Sequence, residues 1–375
     1  MIQLLFSLLS LGQLGRISLY NQQVNFYFYE VFASGWFVWL FIKYRLKPLY
    51  IGFTQFKYIY FFLVFLLASY LFNIAGYSSF QNIVAMLYLV RLSFYFLFFI
   101  YLIYHLKNKS IRNSGLNKGM LLFILLTTVF FLVQYFLYPD LRNLFYLGWD
   151  PHLYRVFGLF LDTSTTAAII GTIILYLLID FKKIKLNKNL KIIILALFSI
   201  LGLLTYSRGF YIAISVTLIY FLFRQKLFKL IAVFILLFVV GLYLLPKPFG
   251  EGVNLKRTFS INSRITNYQE GLKIWQKNPI FGVGYNRIRY AKEQLAILEQ
   301  NPYGNHTLAT LNSSFLIILS TGGIIGLVLF FLLLFDLSKL NPLSKYLTIF
   351  LSIYSLWDNI LLQSFVLMLY LLLLI

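Results

Sequence analysis

Long apolar segments that recur along the whole chain limit what this sequence can fold into. Runs such as Tyr58–Tyr70 and Gly326–Phe335 contain no charged residue. Charged residues make up only 11% of the 375 residues, whereas a soluble domain has about 25%. Because a helix needs about 20 apolar residues to span a bilayer, this pattern predicts an all-α integral membrane protein.

The apolar segments divide the chain into about 12 transmembrane helices. We predict these helices over 2–14, 24–42, 57–75, 82–104, 119–137, 159–180, 191–205, 210–223, 229–246, 311–335, 346–358 and 360–375. The last two could instead be one long helix broken at Asp358-Asn359. The first segment has neither a basic leader nor a cleavage site, so we interpret it as a retained span. Residues 1–375 then form a single polytopic membrane domain, with one large loop over 247–308.

The distribution of Lys and Arg predicts the orientation of these spans. With a cytoplasmic N-terminus, five short inside loops hold 18 of the 32 basic residues. Short cytoplasmic loops of membrane proteins collect Lys and Arg, which also explains the net charge of +21 without a nucleic-acid partner. The loop over 247–308 and the junction at Arg208 are therefore expected on the extracytoplasmic side.

Basic residues on that side are the candidates for binding chemistry. Arg208 interrupts two apolar runs, and the large loop carries Arg264, Arg287 and Arg289. Guanidinium groups at the membrane boundary suit a phosphate or a diphosphate, because they bind such oxyanions with paired hydrogen bonds. Further candidates for phosphate contact are Arg155, just before a span, and Arg91, well inside one. Four other basic residues are expected to be solvated or to contact lipid headgroups: Lys256, Arg257, Lys273 and Lys277.

Arg91 and the residues beside Arg208 carry additional expectations. Arg91 cannot easily reach the membrane surface, so we expect it to pair with Glu30, Asp162 or a lipid phosphate. Gly209 is expected to leave room for a close approach by phosphate, and Ser207 to cap the helix or donate a hydrogen bond.

Three histidines are candidates for proton transfer. His105 is at a predicted cytoplasmic helix end and His152 is beside a predicted turn, so both are expected to be structural. His306 precedes the tenth span on the same side as the arginines, and an imidazole is the usual general base. The chain has no cysteine, and the carboxylates of the large loop are scattered, so we expect neither a metal nor a cofactor.

Four segments carry a resemblance to a known family. They are TYSRGFYIAI from Thr205, SRITNYQEGLKIWQKNPIFGVGYN over 263–286, HTLATLNSSFLIILSTGGIIGLVLFF from His306, and the weaker YRVFGLFLDTSTTAAIIG from Tyr154. Their order and content resemble those of the bacterial O-antigen ligase and O-antigen polymerase family, which are membrane glycosyltransferases with a large external loop.

The resemblance implies a specific reaction. In similar enzymes, two arginines hold the diphosphate of an undecaprenyl-diphosphate-linked glycan, and a histidine deprotonates the acceptor hydroxyl. Carried over by motif, these residues are Arg208 and Arg264 for the diphosphate and His306 as the base. The reaction would be a metal-independent, inverting glycosyl transfer, with Arg287 or Arg289 as a further phosphate contact.

The functional expectation leaves the acceptor open. An O-antigen ligase and an O-antigen or capsular polysaccharide polymerase use the same donor. They differ in the glycan or lipid-linked acceptor, which is a lipid A-core sugar for the ligase and another lipid-linked repeat for the polymerase, and a protein acceptor is a third alternative. Both act in lipopolysaccharide or surface polysaccharide biosynthesis, in the cell inner (plasma) membrane with the active site on the periplasmic side. A polysaccharide or lipid transporter is the more distant alternative. Such proteins often carry internal repeats and charges at the bilayer midplane, and of these features the sequence shows only Arg91.

Overall fold

The computed structural model describes residues 1–20, 23–107, 112–147, 149–180, 186–246, 251–297 and 310–375. Within these residues the chain forms fifteen α-helices and one antiparallel β-hairpin. The strands are β1 (Arg16–Leu19) and β2 (Val24–Tyr27). The helices are α1 Ile2–Ser10, α2 Phe28–Tyr44, α3 Lys47–Gln55, α4 Lys57–Phe72, α5 Ser79–Lys107, α6 Arg112–Leu137, α7 Thr163–Ile179, α8 Lys188–Leu203, α9 Arg208–Arg224, α10 Phe228–Leu244, α11 Phe259–Lys277, α12 Ile288–Gln294, α13 Ser314–Ser338, α14 Pro342–Tyr354 and α15 Ser364–Leu374.

A helix occupies each of the predicted apolar segments, and the helical membrane class is confirmed. The start of the second segment is an exception, because Val24–Tyr27 pairs as a strand with Arg16–Leu19 and the helix begins only at Phe28. The helix begins there because the Glu30 carboxylate accepts a hydrogen bond from the Tyr27 backbone N–H at 3.0 Å. That carboxylate satisfies a donor that the first helical turn leaves without a partner.

The number of membrane crossings is a separate matter from the number of helices. Among the residues that the structure describes, three helices are long and apolar enough to cross a bilayer: Ser79–Leu106, Gly115–Leu137 and Ser314–Ser338. The pair α3–α4, bent by 103°, would bring the number to four. The remaining apolar helices have at most 17 residues, or about 26 Å, which is shorter than the bilayer core of about 30 Å. The total of about 12 crossings therefore stays a prediction.

The centre of the bundle and its lipid-facing side differ clearly in burial. Helix α7 is buried over most of its length, and it packs against α8, α14 and α15. Gly171 allows this packing, because a side chain there would overlap the Phe350 ring. By contrast, α10 has no buried residue and packs mainly along α8 and α9. Its exposed Leu, Ile and Val side chains form an apolar surface of the kind that faces lipid.

The C-terminal segment is two helices and not a single broken one. Helix α14 ends at Tyr354 and α15 begins at Ser364, so the break covers 355–363 and contains both Asp358 and Asn359. The backbone of this break is satisfied by side chains, because Ser314 and Ser355 both accept hydrogen bonds from the Leu361 N–H at 3.1 Å. The break therefore places polar residues inside the bundle, where side-chain hydroxyls replace helical hydrogen bonds to its backbone.

Part of the predicted large loop is helical and is fastened to the bundle. Helix α11 lies against α13, and Lys292 of α12 pairs with Glu270 of α11 at 2.8 Å. The segment 279–284 pairs through its backbone with 320–324, and we call this pairing the glycine lock. Its hydrogen bonds run from Val283 N to Ser320 O at 3.0 Å and from Gly284 N to Thr321 O at 2.9 Å.

The glycine lock depends on a break in α13. At Gly323 the backbone adopts φ 63° and ψ −168°, and a side chain there would overlap the Ile280 carbonyl. Gly282, with φ 69°, lies equally close to the backbone at Thr321. Only glycine tolerates both the positive φ and the contact, which is the physical reason for glycine at positions 282 and 323.

Candidate active site

Four arginine side chains come together beside the start of α9. Arg155, Arg208, Arg257 and Arg264 form this arginine cluster, and the charges of the other three all act on Arg257. Burial, followed by these three positive charges, lowers the pKa of Arg257 to about 10. Like charges held together at a cost to ionisation are typical of a site that binds an anion.

The start of α9 sets the position of Arg208. Arg208 is the first residue of the helix, and its Nη1 donates to the carbonyls of Leu255 and Arg257 at 3.3 and 3.0 Å. Ser207 does not cap the helix, because its hydroxyl is hydrogen-bonded to the Tyr354 hydroxyl at 2.7 Å. A Cβ at Gly209 would lie 3.0 Å from the Tyr354 ring. Gly209 therefore allows α9 to pack on α14, and its expected role of leaving room for a phosphate stays a prediction.

Arg264 enters the cluster from α11 through an ion pair with the break between α14 and α15. Its Nη2 donates to both carboxylate oxygens of Asp358 at 3.1 Å, and both side chains are mostly buried. Tyr268, one turn further along α11, donates its hydroxyl to the Leu356 carbonyl. The outer helix α11 is thus held on the bundle beside Asp358, so Arg264 has a fixed position.

Arg155 and Arg257 complete the cluster from two loops. Arg155 is buried, and its Nε donates to the Thr205 carbonyl at 2.9 Å. Arg257 donates to the carbonyls of Gly252 and Tyr206. Both arginines therefore bind backbone carbonyls of the segment that leads into Arg208, and this arrangement holds two more guanidinium groups beside it. The expectation that Arg257 is a solvated or headgroup-binding residue is not met.

His152 lies next to the cluster but is a poor proton acceptor. Desolvation and the positive charges of Arg155 and Arg257 lower its pKa to about 3, against a smaller opposing effect of Asp162. A general base works best with a pKa near the working pH. The interpretation of His152 as structural therefore stands, and the proposed base His306 lies outside the described residues.

A cavity of about 500 Å³ opens beside the arginine cluster. Asp358 lines it on the side of Arg264, and Asp162, whose charge acts on Arg155, lines it as well. Asp162 is also the N-cap of α7, accepting from the Thr165 N–H at 2.7 Å. The other walls of the cavity come from the β-hairpin, α5 and the segment 285–290. A volume of this size is typical of small-molecule sites.

The three remaining predicted phosphate contacts lie elsewhere. Arg91 pairs with Glu30 at 2.6 Å, which confirms one of its expected partners, and it lines the far side of the cavity. Arg289 also lines the cavity and lies 3.6 Å from Glu293. Arg287 is fully buried, donates to the Tyr70 carbonyl at 3.0 Å and lies over the Tyr70 and Tyr77 rings.

Replacing Arg287 with alanine is expected to lower stability without changing phosphate binding. The substitution leaves a cavity and unpaired buried groups, so the free energy of unfolding should fall by about 3 kcal/mol. Thermal unfolding of the detergent-solubilised protein measures this loss. Affinity of the folded fraction for undecaprenyl diphosphate is the matched readout. An unchanged melting temperature together with weaker binding would instead identify Arg287 as a phosphate ligand.

Several residues of the site are not recognisable as residues of a binding site from the sequence motifs around them. Arg257 resembles any other loop cation, and Asp162 and Asp358 occur in apolar surroundings that suggest only a helix cap and a helix break. The β-hairpin is equally inconspicuous, since its strands have four residues each. A charged residue within an apolar stretch is itself a signal for function, and this signal applies to both Asp162 and Asp358.

The comparison with known families agrees with the motifs. Residues 193–331 match the family model described as O-antigen ligase, a range that contains Arg208, Arg257 and Arg264. No curated protein matches the chain. The match begins within α8 and ends within α13, so it covers the glycine lock and the helix that carries Arg264. The match supports the family resemblance seen in the motifs, and residues 193–331 are the part of the chain that resembles the O-antigen ligase family.

Proposed function

We propose that the chain is a membrane glycosyltransferase that transfers a glycan from undecaprenyl diphosphate to an acceptor hydroxyl on the extracytoplasmic side. The arginine cluster is the observation that carries this proposal. Its four positive charges exceed the three carboxylates beside it, Asp150, Asp162 and Asp358, so the site retains net positive charge. A diphosphate that links a lipid to a sugar is ionised at each phosphate, and it supplies the matching negative charge.

The cluster would act most strongly on the leaving group. In the proposed step the acceptor oxygen attacks the anomeric carbon, and the bond from that carbon to the diphosphate oxygen breaks. The bonding electrons leave with the lipid diphosphate, so negative charge grows on the oxygen that departs. Fixed guanidinium groups stabilise such charge more than water does, because they need no reorganisation. The proton of the acceptor hydroxyl passes to His306, whose role rests on the family motif.

The inverted configuration at the anomeric carbon and the independence from metal are parts of the same proposal. A single displacement by the acceptor oxygen inverts the carbon. The guanidinium groups of the arginine cluster would take the electrophilic role that a metal ion plays in other transferases. Ligase and polymerase share this step and differ only in the hydroxyl that attacks, and the test below distinguishes them.

Purified protein in liposomes, mixed with lipid-linked glycans from the source organism, tests the proposed function. We expect release of undecaprenyl diphosphate that depends on an acceptor, and it should persist in the presence of a metal chelator. A ladder of lengthened lipid-linked glycans would identify a polymerase, and a single addition to a second lipid or glycan would identify a ligase. Movement of the glycans across the liposome membrane with every glycosidic bond intact would instead favour a transporter.

A further inference from the structure

The cavity beside the arginine cluster differs from the cluster in its charge. Each ionised group that lines it lies close to an opposite charge: Arg91 to Glu30, Arg289 to Glu293, and Asp358 to Arg264. Asp162, the remaining carboxylate of the wall, acts on the buried Arg155. A cavity whose charges are paired in this way offers a phosphate group no surplus positive charge, unlike the arginine cluster. Its occupant is therefore a different part of the substrate from the diphosphate.

The lining is also unsuited to the polyprenyl chain. Amide side chains of Gln23, Asn286 and Gln363 line it together with hydroxyl and tyrosine side chains. Amides and hydroxyls both donate and accept hydrogen bonds, which matches the hydroxyl groups of a sugar. Tyrosine adds an apolar face beside a polar tip, and a pyranose ring presents the same two kinds of surface. A hydrocarbon chain in this cavity would leave those polar groups without partners.

Two of these amides have unused hydrogen-bonding capacity. The Oε1 atom of Gln23 is buried without a partner among the described residues. The side chain of Asn286 lines the cavity, and within the described ranges no hydrogen bond to it is formed. A buried polar atom without a partner is uncommon in native proteins, so the Gln23 oxygen requires an explanation such as a ligand. Asn286 is half-buried, and its amide group is likewise available to a polar ligand in the cavity.

The far side of the cavity is a rigid, neutralised ion pair deep in the bundle. Arg91 lies twelve residues into α5, about 18 Å along the helix axis. Its Nε donates to Glu30 at 2.7 Å, and its guanidinium group lies over the rings of Tyr27, Tyr88 and Tyr95. A polar wall at this depth keeps the cavity hydrated and lets it hold polar groups below the level of the arginine cluster.

We propose that this cavity is a saccharide-binding chamber, in which Gln23 of the β-hairpin connection and Asn286 hydrogen-bond sugar hydroxyl or amide groups. The inference rests on the proposed function, because it deepens the same site. It assigns recognition of the sugar to residues 23–95 and 285–290, most of which lie outside the segment that matches the family model. The saccharide belongs either to the donor or to the acceptor, and the two share the same chemistry.

Asn286 offers an unusually clean substitution. Its φ of 58° lies in the left-handed region, where glycine is unstrained, so Asn286→Gly removes the amide without disturbing the backbone. Gln23→Met keeps the length of the second side chain and removes its polar atoms. Gln276→Ala, an exposed amide on α11, is the matched control outside the cavity.

The experiment measures the affinity of the full-length protein in lipid nanodiscs for two probes. One probe is bare undecaprenyl diphosphate, and the other is the lipid-linked glycan extracted from the source organism. We expect wild type to bind the glycan form more tightly. Asn286→Gly and Gln23→Met should each reduce that preference by at least about fivefold. Affinity for the bare carrier should stay unchanged in both variants, and Gln276→Ala should resemble wild type.

Other outcomes overturn the inference or separate it from the proposed function. Equal affinity of wild type for the two probes, or a parallel loss for both probes in the variants, would overturn the chamber. Failure of wild type to bind either probe would contradict the proposed function. Glycans released from the lipid by mild acid would then decide the chamber alone, through binding that Asn286→Gly weakens. If the released glycans still bind when the lipid-linked donor is saturating, the chamber holds the acceptor saccharide. If the saturating donor prevents their binding, the chamber holds the saccharide of the donor.

Discussion

Arg208→Ala is expected to lower the rate of glycan transfer by a factor of about 100 to 1,000, the usual effect of removing one fixed donor that stabilises transition-state charge. Arg208 begins α9 within the arginine cluster and also ties the chain at Leu255 and Arg257 to this helix. The substitution removes both a positive charge and a hydrogen-bonding anchor. Release of undecaprenyl diphosphate by purified protein in liposomes measures the effect.

Two further variants separate charge from folding. Arg208→Lys keeps the charge but loses the planar pair of donors, so it should recover only part of the rate. Lys277→Ala removes a positive charge from the exposed end of α11, outside the cluster, and its rate should equal that of wild type. Wild-type rates in Arg208→Ala, or equal losses in Arg208→Ala and Lys277→Ala, would contradict the assignment of the cluster.

Gly323→Ala is expected to have the largest effect on stability. The new Cβ would overlap the Ile280 carbonyl, and alanine at φ 63° is strained by a further 1 kcal/mol or so. The glycine lock would have to open, which separates segment 279–284 from α13. We expect a loss of several kcal/mol in the free energy of unfolding and little folded protein, as measured by thermal unfolding in detergent.

The same helix provides the control for this prediction. A Cβ at Gly326 would meet its nearest neighbour, a carbon of the Phe65 ring, at 3.4 Å, which is ordinary van der Waals contact. Gly326→Ala should therefore leave the melting temperature within a few degrees of wild type. Similar melting temperatures for Gly323→Ala and Gly326→Ala would show that the backbone at 320–324 does not need its observed conformation.

The apolar pattern is sufficient to predict the helices but not how they are interrupted. Each predicted span contains a helix because hydrophobicity and helix formation are both local properties. The hairpin at Val24–Tyr27 reads as part of an apolar segment, and its pairing with Arg16–Leu19 depends on residues across a turn. The break at 355–363 is stabilised by Ser314, which is distant in sequence. Interactions between distant segments decide such details, and a single sequence does not display them.

The residues of the site are likewise predictable only where the local sequence or a motif marks them. Arg208 stands out because a charge beside an apolar run is costly, and Arg264 stands out by its place in the family motif. The structure brings both into the cluster. Arg257 looks like an ordinary loop cation, yet in the folded protein it lies within reach of the charges of Arg155 and Arg264. Arg287 shows the opposite, since an arginine in the large loop proves to be an internal brace against Tyr70 and Asn82. Spatial neighbours distinguish these arginines, and sequence position does not.

The central claim is that the arginine cluster binds the diphosphate of a lipid-linked donor. Titration of the protein in nanodiscs with undecaprenyl diphosphate and with undecaprenol tests it most directly, because the two probes differ only in the diphosphate. We predict that the diphosphate form binds at least about 100-fold more tightly, with an affinity that falls as salt increases, and that Arg208→Ala and Arg264→Ala abolish the difference. Equal affinity for the two probes in wild type would contradict the claim.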